Sequence, residues 1–241
     1  MADQPFATRD LAWHPPALYT EYRSSRLRSP QHPLLQVPQT LTELTGPVFG
    51  HNDIGAMDDD LIQNYATPGK LAQGSRILVH GRLLDENGRG VARKMIEVWQ
   101  ANAGGRYRHV NDGYLAPLDD NFGGCGRCLS GDDGSYAFKT ILPGPYPWPN
   151  GGNDWRPAHI HFSVFGEGFA QRLITQMYFE GDPHIALCPI VQSIPDDKAI
   201  DRLVARLDMD RTVPLDLRAY RFDIVLRGRN STLFENRLEG L

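Results

Sequence analysis

Two histidines separated by one residue are the sharpest chemical feature of the sequence. His159 and His161 lie in residues 156–162 (RPAHIHF), where Pro157 favours an extended start. Residues i and i+2 of a β-strand point to the same side, so we expect two imidazoles on one face. Neutral imidazole binds Zn, Cu, Fe and Ni, which makes the pair half of a candidate metal site. The alternative is a pair of histidines that merely face solvent.

Two tyrosines in loops rich in glycine and proline are candidates for further ligands. Tyr107 follows residues 104–106 (GGR), and Tyr146 lies between Pro145 and Pro147. The pKa of a free phenol is about 10, so a tyrosinate near neutral pH needs a strong cation such as a ferric ion. Tyrosinate is a known ligand of haem iron. The alternative role of such tyrosines is packing or turn closure.

The three cysteines give a weaker signal. Cys125 and Cys128 form one C-x-x-C in a loop-like segment, and Cys188 stands alone. A structural zinc site needs a second pair and a thioredoxin-like motif needs a helix start, so we interpret this C-x-x-C as a structural accident with no metal or redox role. Three cysteines cannot form a disulfide framework, which favours a reduced, cytoplasmic protein.

The composition indicates the fold class that holds these residues. The chain has 241 residues, including 24 glycines and 18 prolines, and 41% of its residues are hydrophobic. This glycine and proline content disfavours a helical bundle and favours a loop-rich β architecture. A net charge of −4 argues against nucleic-acid binding. We expect no membrane span, because no apolar run reaches about 18 residues, and no signal peptide, because residues 1–5 are polar and mixed.

Short runs of branched and aromatic residues predict strands separated by turns. They lie at 76–84, 94–100, 135–141, 159–165, 173–179 and 220–226. The Asn-Gly pair at 87–88 predicts a hairpin between the first two. One helix is predicted from residue 195, because Ile200, Leu203, Val204 and Leu207 recur at helical spacing. The pattern predicts an all-β fold: an antiparallel β-sandwich over residues 76–241 with long loops and one late helix.

Residues 1–75 are predicted to form an extended N-terminal arm, because they hold eight prolines and no sustained periodicity. The apolar side chains of the arm are Trp13, Leu18, Tyr19, Tyr22, Leu34, Leu35 and Val37. A segment with this many apolar side chains is not typical of a free linker. We therefore predict that the arm packs on the core or on a partner subunit.

Three runs together resemble the intradiol ring-cleaving dioxygenases. They are residues 98–109 (VWQANAGGRYRH), 143–148 (PGPYPW) and 155–162 (WRPAHIHF), and the likeness extends from the arm to residues 221–228 and 234–236. It implies one mononuclear, non-haem Fe(III) per chain, held with a hydroxide or water. The implied protein ligands are Tyr107 and His159, equatorial, and Tyr146 and His161, axial.

The resemblance also implies an activity. The likeness is greatest to members that cleave protocatechuate (3,4-dihydroxybenzoate) with O2 to 3-carboxy-cis,cis-muconate, in aromatic compound catabolism by the β-ketoadipate pathway. Tyr146 would leave the metal when substrate chelates it, and Arg156 would stabilise negative charge on the substrate. The implied pocket residues are Tyr22, near the substrate carboxylate, and Trp148, Gln176 and Ile190. Pro149 departs from the family pattern, in which an arginine follows the tryptophan.

The resemblance implies a partner as well. These members combine a homologous α subunit, which lacks the ligands, with an iron-bearing β subunit, and the αβ units assemble into larger symmetric oligomers. All four ligand types occur here, so the chain corresponds to β. The arm, which a lone sandwich does not explain, fits a docking role. No nucleic acid and no membrane is expected among the partners.

Three alternatives fit parts of the sequence. An intradiol enzyme for catechol or hydroxyquinol would carry a helical N-terminal dimerisation domain, which residues 1–75 do not resemble. A cupin-type metalloenzyme also has a strand-borne H-x-H, but Glu167 and His184 are poorly spaced to complete its site. A non-catalytic β-sandwich module would show exposed aromatics without convergent histidines and tyrosines, and no metal.

Overall fold

Strands dominate the structure, a computed structural model that describes residues 14–32, 54–166 and 172–233. The strands are β1 (Arg76–Leu84), β2 (Met95–Gln100), β3 (Cys125–Leu129), β4 (Ser135–Ile141), β5 (Tyr146–Pro147), β6 (Trp155–Arg156), β7 (His159–Phe165), β8 (Arg172–Phe179), β9 (Val204–Val213), β10 (Leu217–Arg221) and β11 (Ile224–Val225). The short helices are α1 (Ser25–Arg28), α2 (Pro189–Gln192) and α3 (Asp197–Asp201), with a 3-10 turn at Ile185–Leu187. In these described segments no helix is both long and apolar enough to cross a membrane.

Nine of the strands form a sheet that folds over on itself, in the order β11-β1-β10-β9-β8-β7-β2-β3, with β4 added to β1, and β5 and β6 form a separate two-stranded sheet. β9 joins the two halves, because its first residues pair with β8 and its later residues with β10. Ile77 and Phe138 of one half share a buried core with Ile96 and Phe162 of the other. The ring centroids of Phe138 and Phe162 lie 5.8 Å apart. This sandwich-like arrangement confirms the all-β prediction.

The pairing is mixed, however, and not purely antiparallel as predicted. β1 pairs in parallel with β10 and β11, and β8 pairs in parallel with β9. Parallel neighbours need a crossover connection. Between β8 and β9, the segment that carries α2 and α3 provides it.

The hairpin predicted at residues 87–88 is formed over one bridge alone, between Leu84 and Gly90. β2 then pairs with β3 and β7 in the other half of the sandwich. Both edges of β1 are occupied by β4 and β10. Arg93, at a φ of 53°, lies in the connection that leads the chain from β1 to β2.

The predicted late helix is shorter than its apolar spacing suggested. The Asp196 side chain caps α3 by accepting the Lys198 backbone N–H, but the helix ends at Asp201. Val204 and Leu207 belong to β9, where Val204 pairs with Tyr178. Sheet pairing therefore overrides helical spacing here. The strand predicted at 220–226 is likewise divided between β10 and β11.

Two further predictions concern the C-x-x-C motif and the N-terminal arm. The C-x-x-C motif lies in β3 and not in a loop; Cys125 is exposed, whereas burial raises the pKa of the Cys128 thiol to about 12. Trp13, Leu34, Leu35 and Val37 of the arm, and residues 234–236, lie outside the described residues. The division at residue 75 stays a prediction.

Candidate metal centre

Strand pairing positions the two histidines in the middle of one half of the sandwich. In β7, His161 is opposite Trp99 of β2 and Gln176 of β8, and His159 is opposite Tyr178 of β8. The ring centroids of the two histidines lie 4.9 Å apart. The i, i+2 spacing in a strand therefore brings both imidazoles to one place.

Both candidate tyrosines reach this pair. The Tyr107 hydroxyl oxygen lies 3.3 Å from Nε2 of His159 and 3.2 Å from Nε2 of His161. The Tyr146 hydroxyl oxygen lies 3.4 Å from Nε2 of His159. The two phenol rings meet edge to face, with centroids 5.5 Å apart. The four predicted ligands thus form one cluster of two oxygen and two nitrogen donors.

The loops that carry the tyrosines approach each other closely because of a glycine. Gly105 has a φ of +83°, and a Cβ at this position would overlap the Pro145 carbonyl oxygen. The Asn102 side chain accepts two backbone N–H groups of the turn, at 2.9 and 3.0 Å. The backbone N–H of Tyr107 donates to Oδ2 of Asp112 at 2.7 Å. These contacts fix the turn that presents the Tyr107 side chain.

His159 is held in the form that binds metal ions. Its Nδ1 lies 2.7 Å from the Pro157 carbonyl oxygen, and a carbonyl can only accept, so Nδ1 carries the proton. Burial, assisted by the charge of Arg156 and by His161, lowers the pKa of His159 well below its usual value. The ring is therefore neutral, with the lone pair of Nε2 directed at the cluster.

Tyr146 needs a cation before it can ionise. Burial raises the pKa of its phenol, although the Arg156 charge and a hydrogen bond with Tyr107 act in the opposite direction. A bound metal ion is the strongest local charge that can reverse this effect. The phenol is accordingly protonated in the metal-free protein at neutral pH.

The donor set fits a hard, highly charged ion such as Fe(III). Donors about 2 Å from one ion, at angles near 90° to 110°, lie about 3 Å apart. The observed donor separations of 3.2–3.4 Å are within a few tenths of an ångström of that value. Over residues 14–32, 54–166 and 172–233, no group of three or more His, Cys, Asp and Glu side chains could hold a metal. A metal here therefore requires the tyrosine oxygens.

Arg156 lies buried beside the cluster and is held by β8. Its Nη2 donates to Oε1 of Gln176 and lies 3.5 Å from the Tyr178 hydroxyl, which itself donates to Oε1 of Gln176 at 3.1 Å. Burial lowers the pKa of Arg156, but Tyr178, Cys188 and Tyr146 outweigh this effect and leave it raised. Its Nε is buried with no hydrogen-bond partner among the described residues. A permanent charge and a spare donor are thus available to an anionic ligand.

The remaining predicted pocket residues, Tyr22, Trp148 and Ile190, differ in whether they are linked by contacts to Arg156. The Arg156 guanidinium carbon lies 5.9 Å from the centre of the Trp148 ring, which the Tyr22 ring meets edge to face at 5.5 Å. Tyr22, Trp148 and Arg156 thus form a continuous set of contacts. Ile190, in α2, instead packs against a second apolar cluster that contains Tyr178.

Two residues near the cluster were not predicted as site residues. The Trp99 indole stacks on the His161 ring, with centroids 4.8 Å apart and planes 2° apart. Tyr178 binds Gln176 and approaches Arg156. The sequence alone places Tyr178 on the same face of a strand as Gln176, because the two are two residues apart. The stacking of Trp99 on His161 could not be predicted in this way, because it depends on the pairing of β2 with β7.

Comparison with known proteins finds relatives over nearly the whole chain. A family model described as Dioxygenase matches residues 44–228, and one described as Protocatechuate 3,4-dioxygenase beta subunit N terminal matches residues 7–40. The chain is 49% identical to the protocatechuate 3,4-dioxygenase beta chain of Burkholderia cepacia, over 94% of this chain and 96% of that one. It is 30% identical to the protocatechuate 3,4-dioxygenase alpha chain of Pseudomonas putida, over 84% and 98%.

Solved structures share the fold. Hydroxyquinol 1,2-dioxygenase from Pseudomonas putida DLL-E4 superposes with a TM-score of 0.52 at 24% identity, covering 85% of this chain and 71% of that one. For 3-chlorocatechol 1,2-dioxygenase from Rhodococcus opacus 1CP, the TM-score is 0.52 at 23% identity, with 71% and 66% covered. At these identities the likeness concerns the fold alone.

Proposed function

The chain belongs to the intradiol ring-cleaving dioxygenase family, and we propose that it cleaves protocatechuate with O2 as the iron-bearing β chain of a two-subunit enzyme. The observation that carries the proposal is the cluster of Tyr107, Tyr146, His159 and His161, in a chain 49% identical to a protocatechuate 3,4-dioxygenase beta chain. Enzymes of this family in general contain non-haem iron.

The reaction balances without a reductant. Protocatechuate takes up one molecule of O2 and gives 3-carboxy-cis,cis-muconic acid, with no other atom gained or lost. The bond between the two hydroxyl-bearing carbons breaks, and both oxygen atoms end in the two new carboxyl groups. The protein must therefore orient the diol, remove its protons and stabilise the charge that develops on the ring.

Tyr107, Tyr146, His159 and His161 are the residues that would hold the metal. Bound Fe(III) supplies Lewis acidity, which draws electron density from a coordinated catecholate and makes the ring reactive toward O2. The Tyr146 phenolate is suited to accept a substrate proton, because burial favours its neutral form once it is away from the cation.

Arg156 would stabilise charge on the substrate. Its guanidinium donates a hydrogen bond to Gln176. Its buried Nε–H has no hydrogen-bond partner among the described residues and could donate to the substrate. A preorganised donor of this kind acts without reorganisation as charge develops. Tyr22 and Trp148, whose rings are in contact, would form the adjoining side of the substrate pocket, and Ile190 would line it from α2.

A homologous α chain is the proposed partner. The chain aligns with almost the full length of an alpha chain as well as a beta chain, which supports a pair of related subunits. We propose that αβ units assemble further into a symmetric oligomer and that the protein acts in the cytoplasm. The tyrosine and histidine donors on this chain make it the iron-bearing member.

The runner-up function is cleavage of catechol or hydroxyquinol. It is disfavoured because residues 7–40 match the N-terminal model of protocatechuate 3,4-dioxygenase beta subunits. Among the described residues before β1, moreover, the only helix is α1, which has four residues. The family assignment excludes the cupin alternative. Of the two residues considered for a cupin site, His184 pairs through Nδ1 with Asp182 at 2.7 Å, and Glu167 lies outside the described residues.

The proposed function is tested by incubating the iron-loaded protein, with its α partner, with protocatechuate under 18O2. We expect one O2 consumed per ring and 3-carboxy-cis,cis-muconate carrying two 18O atoms. Faster turnover of catechol or hydroxyquinol would favour the runner-up. Absence of O2 uptake with all three diols would contradict the proposal.

A further inference from the structure

Asn150 connects the N-terminal arm to the loop that carries Trp148. Its side chain is buried, with the residue 4% exposed. Its Oδ1 accepts the backbone N–H of Arg23 at 2.7 Å, and its Nδ2 donates to the Glu21 carbonyl oxygen at 2.7 Å. Nδ2 also donates to Oδ2 of Asp154 at 2.7 Å. The Asn150 amide therefore binds the arm on both sides of Tyr22. Asp154, in the same loop as Asn150, holds the amide in place.

The turn around Tyr22 is shaped by its own bonds. The Tyr22 backbone N–H donates to the Tyr19 carbonyl at 3.0 Å, and that of Ser25 donates to the Tyr22 carbonyl at 2.9 Å. The Ser25 hydroxyl donates to the Tyr19 carbonyl and accepts the Tyr19 N–H. The turn is thus closed by its own hydrogen bonds, and Asn150 attaches it to the body of the protein.

This attachment fixes an aromatic contact at the edge of the candidate active site. The Tyr22 and Trp148 rings meet edge to face with centroids 5.5 Å apart. Trp148 in turn lies beside Arg156, 5.9 Å from its guanidinium carbon. A shift of residues 21–23 would therefore move the Tyr22 side of the pocket and leave the four metal donors in place.

We propose that Asn150 is a positioning residue for substrate specificity: it holds Tyr22 against Trp148 and so sets the side of the pocket that receives the ring substituent. The inference rests on the proposed function, in which that substituent is the protocatechuate carboxylate. An asparagine suits the role because it offers an acceptor to Arg23 and donors to Glu21 and Asp154 at once. An aspartate keeps the shape, but it loses both donors and faces the Asp154 carboxylate.

The test compares Asn150→Ala and Asn150→Asp with the unaltered protein, each loaded with iron and combined with the α chain. Protocatechuate is compared with catechol, which lacks the carboxylate. We expect the protocatechuate KM, and its Kd from anaerobic titration of the visible spectrum, to rise about tenfold or more. The catechol Kd, the kcat and the iron content should change less than about twofold.

Thr232→Ala is the matched control. This buried threonine accepts the Val225 N–H at 3.0 Å and so joins another peripheral segment to a strand outside the candidate site. It should leave both substrate affinities unchanged. If Asn150→Ala does not fold, Asn150→Asp, which preserves volume and the acceptor, decides the question.

Two results would overturn the inference: unchanged protocatechuate affinity in the folded variants, or an equal loss of affinity for both diols together with loss of iron. The second result would give Asn150 a purely structural role. Failure of the unaltered protein to cleave protocatechuate would instead contradict the proposed function, independently of Asn150.

Discussion

Tyr146 and Arg156 are direct partners across the two-stranded sheet of β5 and β6. The proposed ligand that leaves the metal and the proposed charge-stabilising guanidinium therefore lie on one small element, which also leads into β7 and its histidines. Pro145, Pro147 and Pro157 restrict the backbone of this segment. The pairing explains how a loop-like sequence presents two reactive side chains in defined positions.

Tyr146→Phe tests the leaving ligand. Phenylalanine keeps the edge-to-face contact with Tyr107 but cannot ionise or accept a proton. Iron should be retained by the other three donors, while substrate binding and release become slower and turnover falls by roughly 10- to 100-fold. Stopped-flow binding and steady-state kinetics measure these rates. Turnover equal to that of the unaltered enzyme would remove Tyr146 from the proposed role.

Tyr178→Phe tests how Arg156 is held. The change removes the hydroxyl that binds Gln176 and approaches Arg156, and it keeps the ring that lies 6.1 Å from His159. Loss of one buried hydrogen bond predicts a fall in kcat of about three- to tenfold with little change in KM.

Tyr136→Phe is the control for this variant. It removes a similarly buried hydroxyl, which donates to the Phe222 carbonyl in the core. It should lower stability by about 1 kcal/mol and leave the kinetics unchanged. Equal kinetic effects in both variants would show that Tyr178 acts only through stability.

Gly105→Ala tests the approach of the two tyrosine loops. A Cβ at residue 105 would overlap the Pro145 carbonyl in addition to straining a φ of +83°. Gly88→Ala is the control, because Gly88 has a φ of +76° with open space around it. Both should lose about 1 kcal/mol of stability from backbone strain. Only Gly105→Ala should reduce iron content and the visible absorption; intact iron binding there would show that the close approach is dispensable.

Local chemistry made the histidine pair and the tyrosines recognisable from sequence. The i, i+2 relation of His159 and His161 depends only on β7 being a strand, and proline and glycine beside the tyrosines indicated rigid turns. Resemblance to a family was needed to join these pieces into one ligand set. The comparisons confirm the family and the fold class, while the ligand roles of the four residues stay predictions.

Non-local pairing accounts for what could not be predicted. The stacking of Trp99 on His161 requires the register of β2 against β7, which no short-range pattern encodes. The spacing of Val204 predicts a helix, but the residue pairs with Tyr178 of β8 instead. The hairpin after β1 is limited to one bridge for a similar reason, since β4 and β10 occupy both edges of that strand.

The central claim is that Tyr107, Tyr146, His159 and His161 together bind Fe(III). It is tested most directly by the metal content and visible spectrum of the purified, iron-reconstituted protein. We predict about one iron per chain and a red-brown colour from tyrosinate-to-Fe(III) charge transfer. The metal-free protein should be colourless, because burial raises the Tyr146 pKa and keeps its phenol protonated. A colourless protein that prefers zinc, or that takes up no metal, would contradict the account.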